Sequence, residues 1–270
     1  MPERPSHLPD YQNPPIDEVV VGVQFPPIPN FQDVHAGLYW QNVRNDYPRT
    51  ETQPRLEGPI ETDELPQANT AVISIPFGMT QARTWLISET DDYLIQMQNT
   101  RFIQNWRRRR DPYPHFEAIL NLFEDHYTQF RELLSTEKLQ EPIVQQVEVS
   151  YINWITDLPI SKFLKPGTSA EIHINGRPQD PEDQSWGARY RLSTSTDIVE
   201  RLHVVSQAAV RPIPEMVTGV IFQLVYRAAR AEGLSTEEVL RLMSSGRDII
   251  VNTFDELTTT DAHAVWGKLK

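Results

Sequence analysis

The chain has 270 residues, 39% of them hydrophobic, which is enough for a sizeable core in one large domain or two small ones. It contains no cysteine, and this excludes disulfides, thiolate metal sites and cysteine nucleophiles. An excess of 37 acidic over 25 basic residues gives a formal net charge of -12 and disfavours general adhesion to phosphate backbones or anionic lipid.

Residues 1–15 hold five prolines and no apolar period, which predicts an extended lead-in without the apolar region of a secretory signal. No apolar run approaches the roughly 20 residues that cross a bilayer, so a cytoplasmic location without a membrane span is the expectation. "DEVVVGVQF" then reads as a strand, bounded by Pro14-Pro15 and Pro26-Pro27, since proline cannot donate to a sheet ladder. Phe31, Val34, Leu38 and Val43 sit at near-helical spacing and predict a short helix over 31–46. From Pro48 to Asn69 no apolar period appears, and a long exposed loop is expected.

Four strand-like runs follow, "TAVISIPF", "RTWLISET", "YLIQMQ" and "RFIQNWR", as in an antiparallel meander. In the last of these, strand parity puts Asn105 and Arg107 on one face and Phe102, Gln104 and Trp106 on the other. A two-residue turn at Thr100-Arg101 pairs Gln96 with Asn105; a three-residue loop pairs it with Gln104 instead. In the first register Gln96, Gln98, Asn105 and Arg107 form a polar row of fixed donors suited to a carboxylate, a phosphate or a peptide backbone. The competing reading is the solvated face of an antiparallel sheet. Arg108, Arg109 and Arg110 complete a run of four arginines with Arg107, and read either as an exposed basic strand end or as a nucleic-acid contact beside Trp106.

After "DPYP", the residues Phe116, Ile119, Leu120, Phe123, Tyr127, Phe130 and Leu134 form one apolar stripe of a long helix. The second half repeats the order of strands then helix: "IVQQVEVSYINWI", "AEIHI", "ARYRLST", "ERLHVVSQAAV" and "VTGVIFQLVYRA" precede a short helix capped by Ser235 with Glu238, and another begins at "RDIIVNTFDEL". "ILNLFED" resembles "IVNTFDE", with Asn121 over Asn252 and Phe123 over Phe254, at an offset close to the one that relates "EVVVGVQF" to "QVEVSYIN". The expectation is an α+β fold of two related halves, 16–140 and 141–270, each an antiparallel sheet packed by at least one long helix, in one body.

Catalytic signatures are absent. No HExxH, Gly-x-Ser-x-Gly, Walker loop or Gly-x-Gly-x-x-Gly occurs, His115 and His126 lack tight metal-ligand spacing, and no cofactor is implied. Asp91-Asp92 and Glu237-Glu238 fit a turn and a helix N-terminus.

Four ordered stretches, "NPPIDEVVVGVQF", "QMQNTRFIQNWR", "YPHFEAI" and "VEVSYINWI", resemble a sporadically distributed bacterial family of uncharacterised proteins of about this length. Asn105, Trp106 and Arg107 match its Asn-Trp-Arg box, whereas Arg108 to Arg110 fall outside it. The resemblance and the missing signatures together lead to the expectation of a non-enzymatic protein-interaction module, such as an antitoxin, immunity or defence-accessory partner. Its partner would be another protein, with a second copy of the chain among the candidates. The alternatives are a ligand-binding protein or cryptic enzyme using Gln96, Gln98, Asn105, Trp106 and Arg107, and an RNA or single-stranded DNA binder using Arg107 to Arg110.

Overall fold

The computed structural model describes residues 5–58, 60–62, 82–165, 172–174, 177–179, 184–192, 197–212 and 216–270. Its elements run β1 (Ile16–Gln24), α1 (Asp33–Val43), β2 (Arg49–Gln53), β3 (Arg83–Ile87), β4 (Tyr93–Gln98), β5 (Arg101–Arg107) and α2 (Phe116–Thr136) in the first half. The second half holds β6 (Gln146–Ile155), α3 (Ile160–Phe163), β7 (Ile172–Ile174), β8 (Arg177–Gln179), β9 (Ser185–Arg191), β10 (Val199–Pro212), β11 (Met216–Ala229), α4 (Thr236–Leu257) and α5 (Thr260–Trp266). The fold is α+β, as the pattern of strands and helices predicts.

Among the described residues, nine strands form one antiparallel sheet in the order β2-β3-β4-β5-β1-β6-β11-β10-β9, and β7 pairs with β8 separately. Each half therefore begins with its innermost strand, pairs that strand with its last one, and steps outward. The β1–β6 pair, from Val19 opposite Tyr151 to Val23 opposite Val147, joins the halves. The matched helix segments do not superpose on this common order: "ILNLFED" lies near the start of α2 and "IVNTFDE" near the end of α4. "TAVISIPF" lies outside the described residues.

One face of the sheet is apolar because alternate strand residues are. Val19, Val21 and Val23 align with Trp106 and Phe102 across β5, and with Tyr151, Val149 and Val147 across β6. Helix α2 lays its apolar stripe on β5 and β1, where the Phe102 and Phe130 rings stack at 5.0 Å. Helix α4 covers β6 and β11. It is one continuous helix and not the two short ones expected, capped at Ser235 and Glu238 as the sequence indicates. Gly246 does not break it, because the missing side chain is what lets α4 approach β11: a Cβ there would lie 2.3 Å from Tyr226 Cδ1.

The opposite face is polar, and it is covered. The described part of 48–69, residues 48–58 and 60–62, is not simply an exposed loop: Arg49–Gln53 forms edge strand β2, and the described residues after it cross the sheet strand by strand; 59 and 63–69 lie outside the described residues. The Leu56 N–H and C=O pair with the Gln98 amide of β4, at 3.0 and 3.1 Å. The Gly58 carbonyl accepts from Arg101 of β5 and Gln24 of β1, at 3.1 and 3.0 Å. The Glu61 N–H donates to Gln146 of β6, at 2.8 Å. The Glu61 carboxylate, with its side chain only 9% exposed, meets Arg201 at 2.5 Å and His203 at 2.8 Å on β10, and Arg227 at 3.5 Å on β11.

A backbone strap can lie on a sheet face only if its own polar groups are met there, and the row of Gln and Arg side chains meets them. Burial pushes the Glu61 carboxyl upward, but hydrogen bonds from His203 and Arg201 outweigh it and hold the group down to about 2. A depressed carboxylate stabilises the fold above its unfolded value of 4.5, and that contribution is lost as pH falls from there through about 2. Glu61→Gln is therefore expected to lower unfolding free energy by about 3 kcal/mol at pH 7, since it strands the buried Arg201 charge. Urea denaturation measures this. The difference from wild type should shrink as pH falls through the same window, and an equal cost at pH 7 and pH 3 would contradict the pairing.

Candidate functional site

The arginine run is folded onto the Asp91-Asp92 turn between β3 and β4. Asp92 is fully buried, and its Oδ1 accepts the backbone N–H groups of Arg109, Arg110 and Asp111 at 3.0, 2.9 and 3.2 Å. Burial pushes the Asp92 carboxyl upward, but the backbone donors prevail and leave it below the ordinary carboxylate range. Asp91 takes the side chains: Arg107 Nη2 lies 2.6 Å and Arg109 Nε 3.5 Å from its carboxylate. Arg108 turns the other way and donates to the Pro14 carbonyl at 2.9 Å. Arg110 alone in the run has no side-chain partner among the described residues.

The polar row is real as a face, with a different register. The turn is Asn99-Thr100, so Gln96 stands opposite Ile103, and neither register considered from sequence is the one formed. A two-residue shift preserves the faces, and Gln96, Gln98, Asn105 and Arg107 do lie together. They are buried and not solvated, each spent on the protein itself. Arg83 Nη1 donates to Gln96 Oε1 at 2.8 Å, Gln96 Nε2 to Asn105 Oδ1 at 2.8 Å, and Asn105 Nδ2 to Glu18 Oε1 at 2.6 Å. Trp106 points to the helix face, fully buried, with its ring 5.3 Å from that of Tyr113. His126 is buried against Gln104 at 2.8 Å, while His115 lies before the first turn of α2. Among the described residues no three His, Asp or Glu side chains gather as a metal site.

The cavity lies elsewhere. A cleft of about 540 Å³ opens on the helix face, over β6 and β11 and between the start of α2 and the second half of α4. The N-terminal segment forms one wall. It is held by the chain's other end, through Gln12 N–H to the Gly267 carbonyl at 2.9 Å and Leu269 N–H to the Asp10 carbonyl at 2.8 Å. The loop that leaves the arginine run forms another wall and brings Arg108 and Arg110 to the cleft.

Polar groups converge on its floor. The Tyr113 and Tyr151 hydroxyls are 2.9 Å apart, and burial pushes Tyr151 well above the ordinary phenol range, so it serves as a neutral hydrogen-bonding group and not as a base. Arg247 donates to Glu117 and to Asp248, each at 2.6 Å, with its guanidinium 5.1 Å above the Phe116 ring. Asn153 Nδ2 donates to the Phe222 carbonyl at 2.9 Å. At the rim His115 adopts φ 68 and ψ 156, a region almost confined to glycine, between Pro114 and the first turn of α2. Backbone strain of this kind costs about 1–3 kcal/mol and clusters where chains bind or react.

Three of the four ordered sequence stretches supply part of this lining: Asn13, Pro14 and Ile16, then Tyr113, His115, Phe116 and Glu117, then Tyr151 and Asn153. In the sequence Phe116 belongs to an apolar helix stripe and Tyr151 to a strand run, and periodicity of either kind does not distinguish a core residue from one that borders a cavity. No family model, curated protein or solved structure matches the chain.

Proposed function

We propose that this chain is a small-molecule-binding protein and that the cleft between α2, α4 and the N-terminal segment is its site. The observation that carries this reading is the cleft itself: drug-sized ligands occupy cavities of this volume, with apolar walls and a few convergent polar groups. Phe116, Ile250, Val251 and Phe254 supply apolar wall, and the tyrosine pair with the Arg247–Glu117 pair supplies fixed polarity. The strained His115 backbone at the rim supports the same place. The row around Gln96, Asn105 and Arg107 offers less, because its hydrogen-bonding capacity is consumed internally. Binding of nucleic acid through Arg107 to Arg110 draws little support, since Asp91 and Pro14 already engage three of the four side chains.

A second reading is the protein-interaction module, favoured by one feature. The β10–β11 hairpin runs past the end of β6, whose pairing stops at Ile155 opposite Val220, and its overhang exposes Val210, Val217 and Met216, the last by 74%. Exposed apolar side chains on a projecting hairpin suit a protein partner.

For the cleft, 8-anilinonaphthalene-1-sulfonate should bind the folded chain one to one and fluoresce. Val251→Trp, which fills the cleft from α4, should weaken it at least tenfold without altering the circular dichroism spectrum; a folded variant with unchanged binding contradicts the site. For the hairpin, Val210→Lys combined with Met216→Lys should release a stoichiometric partner from native-host pull-downs. Retention of that partner, or recovery of none by the wild-type chain, counts against the second reading.

A further inference from the structure

The cleft leaves particular hydrogen-bonding capacity unspent, and its placement describes a ligand. On the floor, Glu117 gives Oε1 to Arg247, while its Oε2 is buried with no hydrogen-bond partner. Asn153, only 1% exposed, commits its amide nitrogen to the Phe222 carbonyl and leaves Oδ1 without a donor among the described residues. A buried acceptor left unmet costs about 1–3 kcal/mol, so Glu117 Oε2 in the cavity floor, with Asn153 Oδ1 beside it, favours whatever brings it a hydrogen.

The mouth has the opposite character. Arg110 is exposed, lines the cleft and has no side-chain partner among the described residues. Its backbone is fixed by the N–H bond to Asp92, which roots the side chain at the rim while its charge stays available. Arg247 is already paired with Glu117 and Asp248, and at the mouth Arg108 and Arg110 stand against Asp111, a local positive balance inside a chain of net charge -12. A cationic ligand meets repulsion there and an anionic one attraction, so the donor that the floor requires must be uncharged. Between floor and mouth the walls are aromatic, with Phe116, Tyr151 and Tyr113 on one side and Phe254 beyond them.

We propose, building on the cleft as the binding site, that its ligand is an aromatic carboxylic acid bearing a neutral ring N–H or O–H donor. The ring lies among the aromatic walls, the donor meets Glu117 Oε2 and Asn153 Oδ1, and the carboxylate pairs with Arg110. Arg110 is thus a specificity determinant for the anion. The glutamate and asparagine oxygens reject analogues that lack the donor, because a buried polar group left unpaired discriminates more strongly than lost apolar contact does.

Calorimetric titration of the full chain with three probes tests this class: indole-3-acetate, which has both groups; naphthalene-1-acetate, which lacks the donor; and tryptamine, which carries a cation in place of the anion. The proposal expects indole-3-acetate to bind at least tenfold more tightly than naphthalene-1-acetate, and tryptamine not to bind. Arg110→Ser should weaken indole-3-acetate about tenfold with the melting temperature unchanged, as the side chain makes no contact the fold uses. Equal binding of the two acids, tighter binding of tryptamine, or an Arg110→Ser variant with full affinity overturns the ligand class. If none of the three binds while 8-anilinonaphthalene-1-sulfonate still does and is lost in Val251→Trp, the class fails and the cleft stands. If that dye also fails to bind, the cleft reading itself falls.

Discussion

The Asp92 carboxylate organises the corner from which the wall of the cleft is built. Four arginines in succession repel one another and do not turn of their own accord. A buried carboxylate accepting three consecutive backbone N–H groups both neutralises the segment and fixes its curvature. It ends β5, redirects the chain through Pro112 and Pro114, and delivers Tyr113, His115 and Phe116 to the edge of the cleft. Asp91 beside it collects the Arg107 and Arg109 side chains and Pro14 takes Arg108, so the basic run becomes a corner in which, among the described residues, Arg110 is left without a side-chain partner.

The rest of the architecture follows from a sheet with two unlike faces. One is apolar and takes α2 and α4. The other is polar and takes a strap of backbone, because glutamine and arginine side chains standing off a sheet can satisfy a crossing chain where apolar ones cannot. Glu61 anchors the far end of that strap on β6, β10 and β11, while Leu56 and Gly58 further back are held by Gln98 and Arg101, so the strap contacts both halves of the sheet. With the polar face engaged in this way, the cleft forms on the helix face, where the first turn of α2 and the second half of α4 meet the two chain termini over β6.

Much of this was legible in the sequence and some was not, for physical reasons. The alternation in "DEVVVGVQF" and "RFIQNWR", the stripe from Phe116 to Leu134 and the Ser235–Glu238 cap are local signals, and they mark real elements. The continuity of α4 was hidden because the close approach of Gly246 to Tyr226, which seats one long helix on β11, joins residues distant in sequence. The strap was hidden because it has no apolar period: it is held by side chains of six strands that lie far away in sequence. The polar row of Gln96, Gln98, Asn105 and Arg107 was legible as a face, but parity alone does not say whether a polar face meets water, a ligand or the chain's own backbone. The cleft was hidden for a related reason, since Tyr113, Tyr151, Glu117, Asn153 and Arg247 come from four separate segments and each fits a core or surface pattern when taken singly. Even so, three short stretches that stood out together in the sequence meet at that one place.

The central claim is that the arginine run is held as a turn by Asp92, which leaves Arg110 at the mouth of the cleft. Amide hydrogen exchange, followed by NMR at neutral pH, reports directly on that claim at Arg109, Arg110 and Asp111. The account predicts that all three amides are protected relative to free-peptide rates although their side chains lie in an exposed loop, and that the protection is lost in Asp92→Ala. Exchange of these amides in the wild-type chain at free-peptide rates would contradict it.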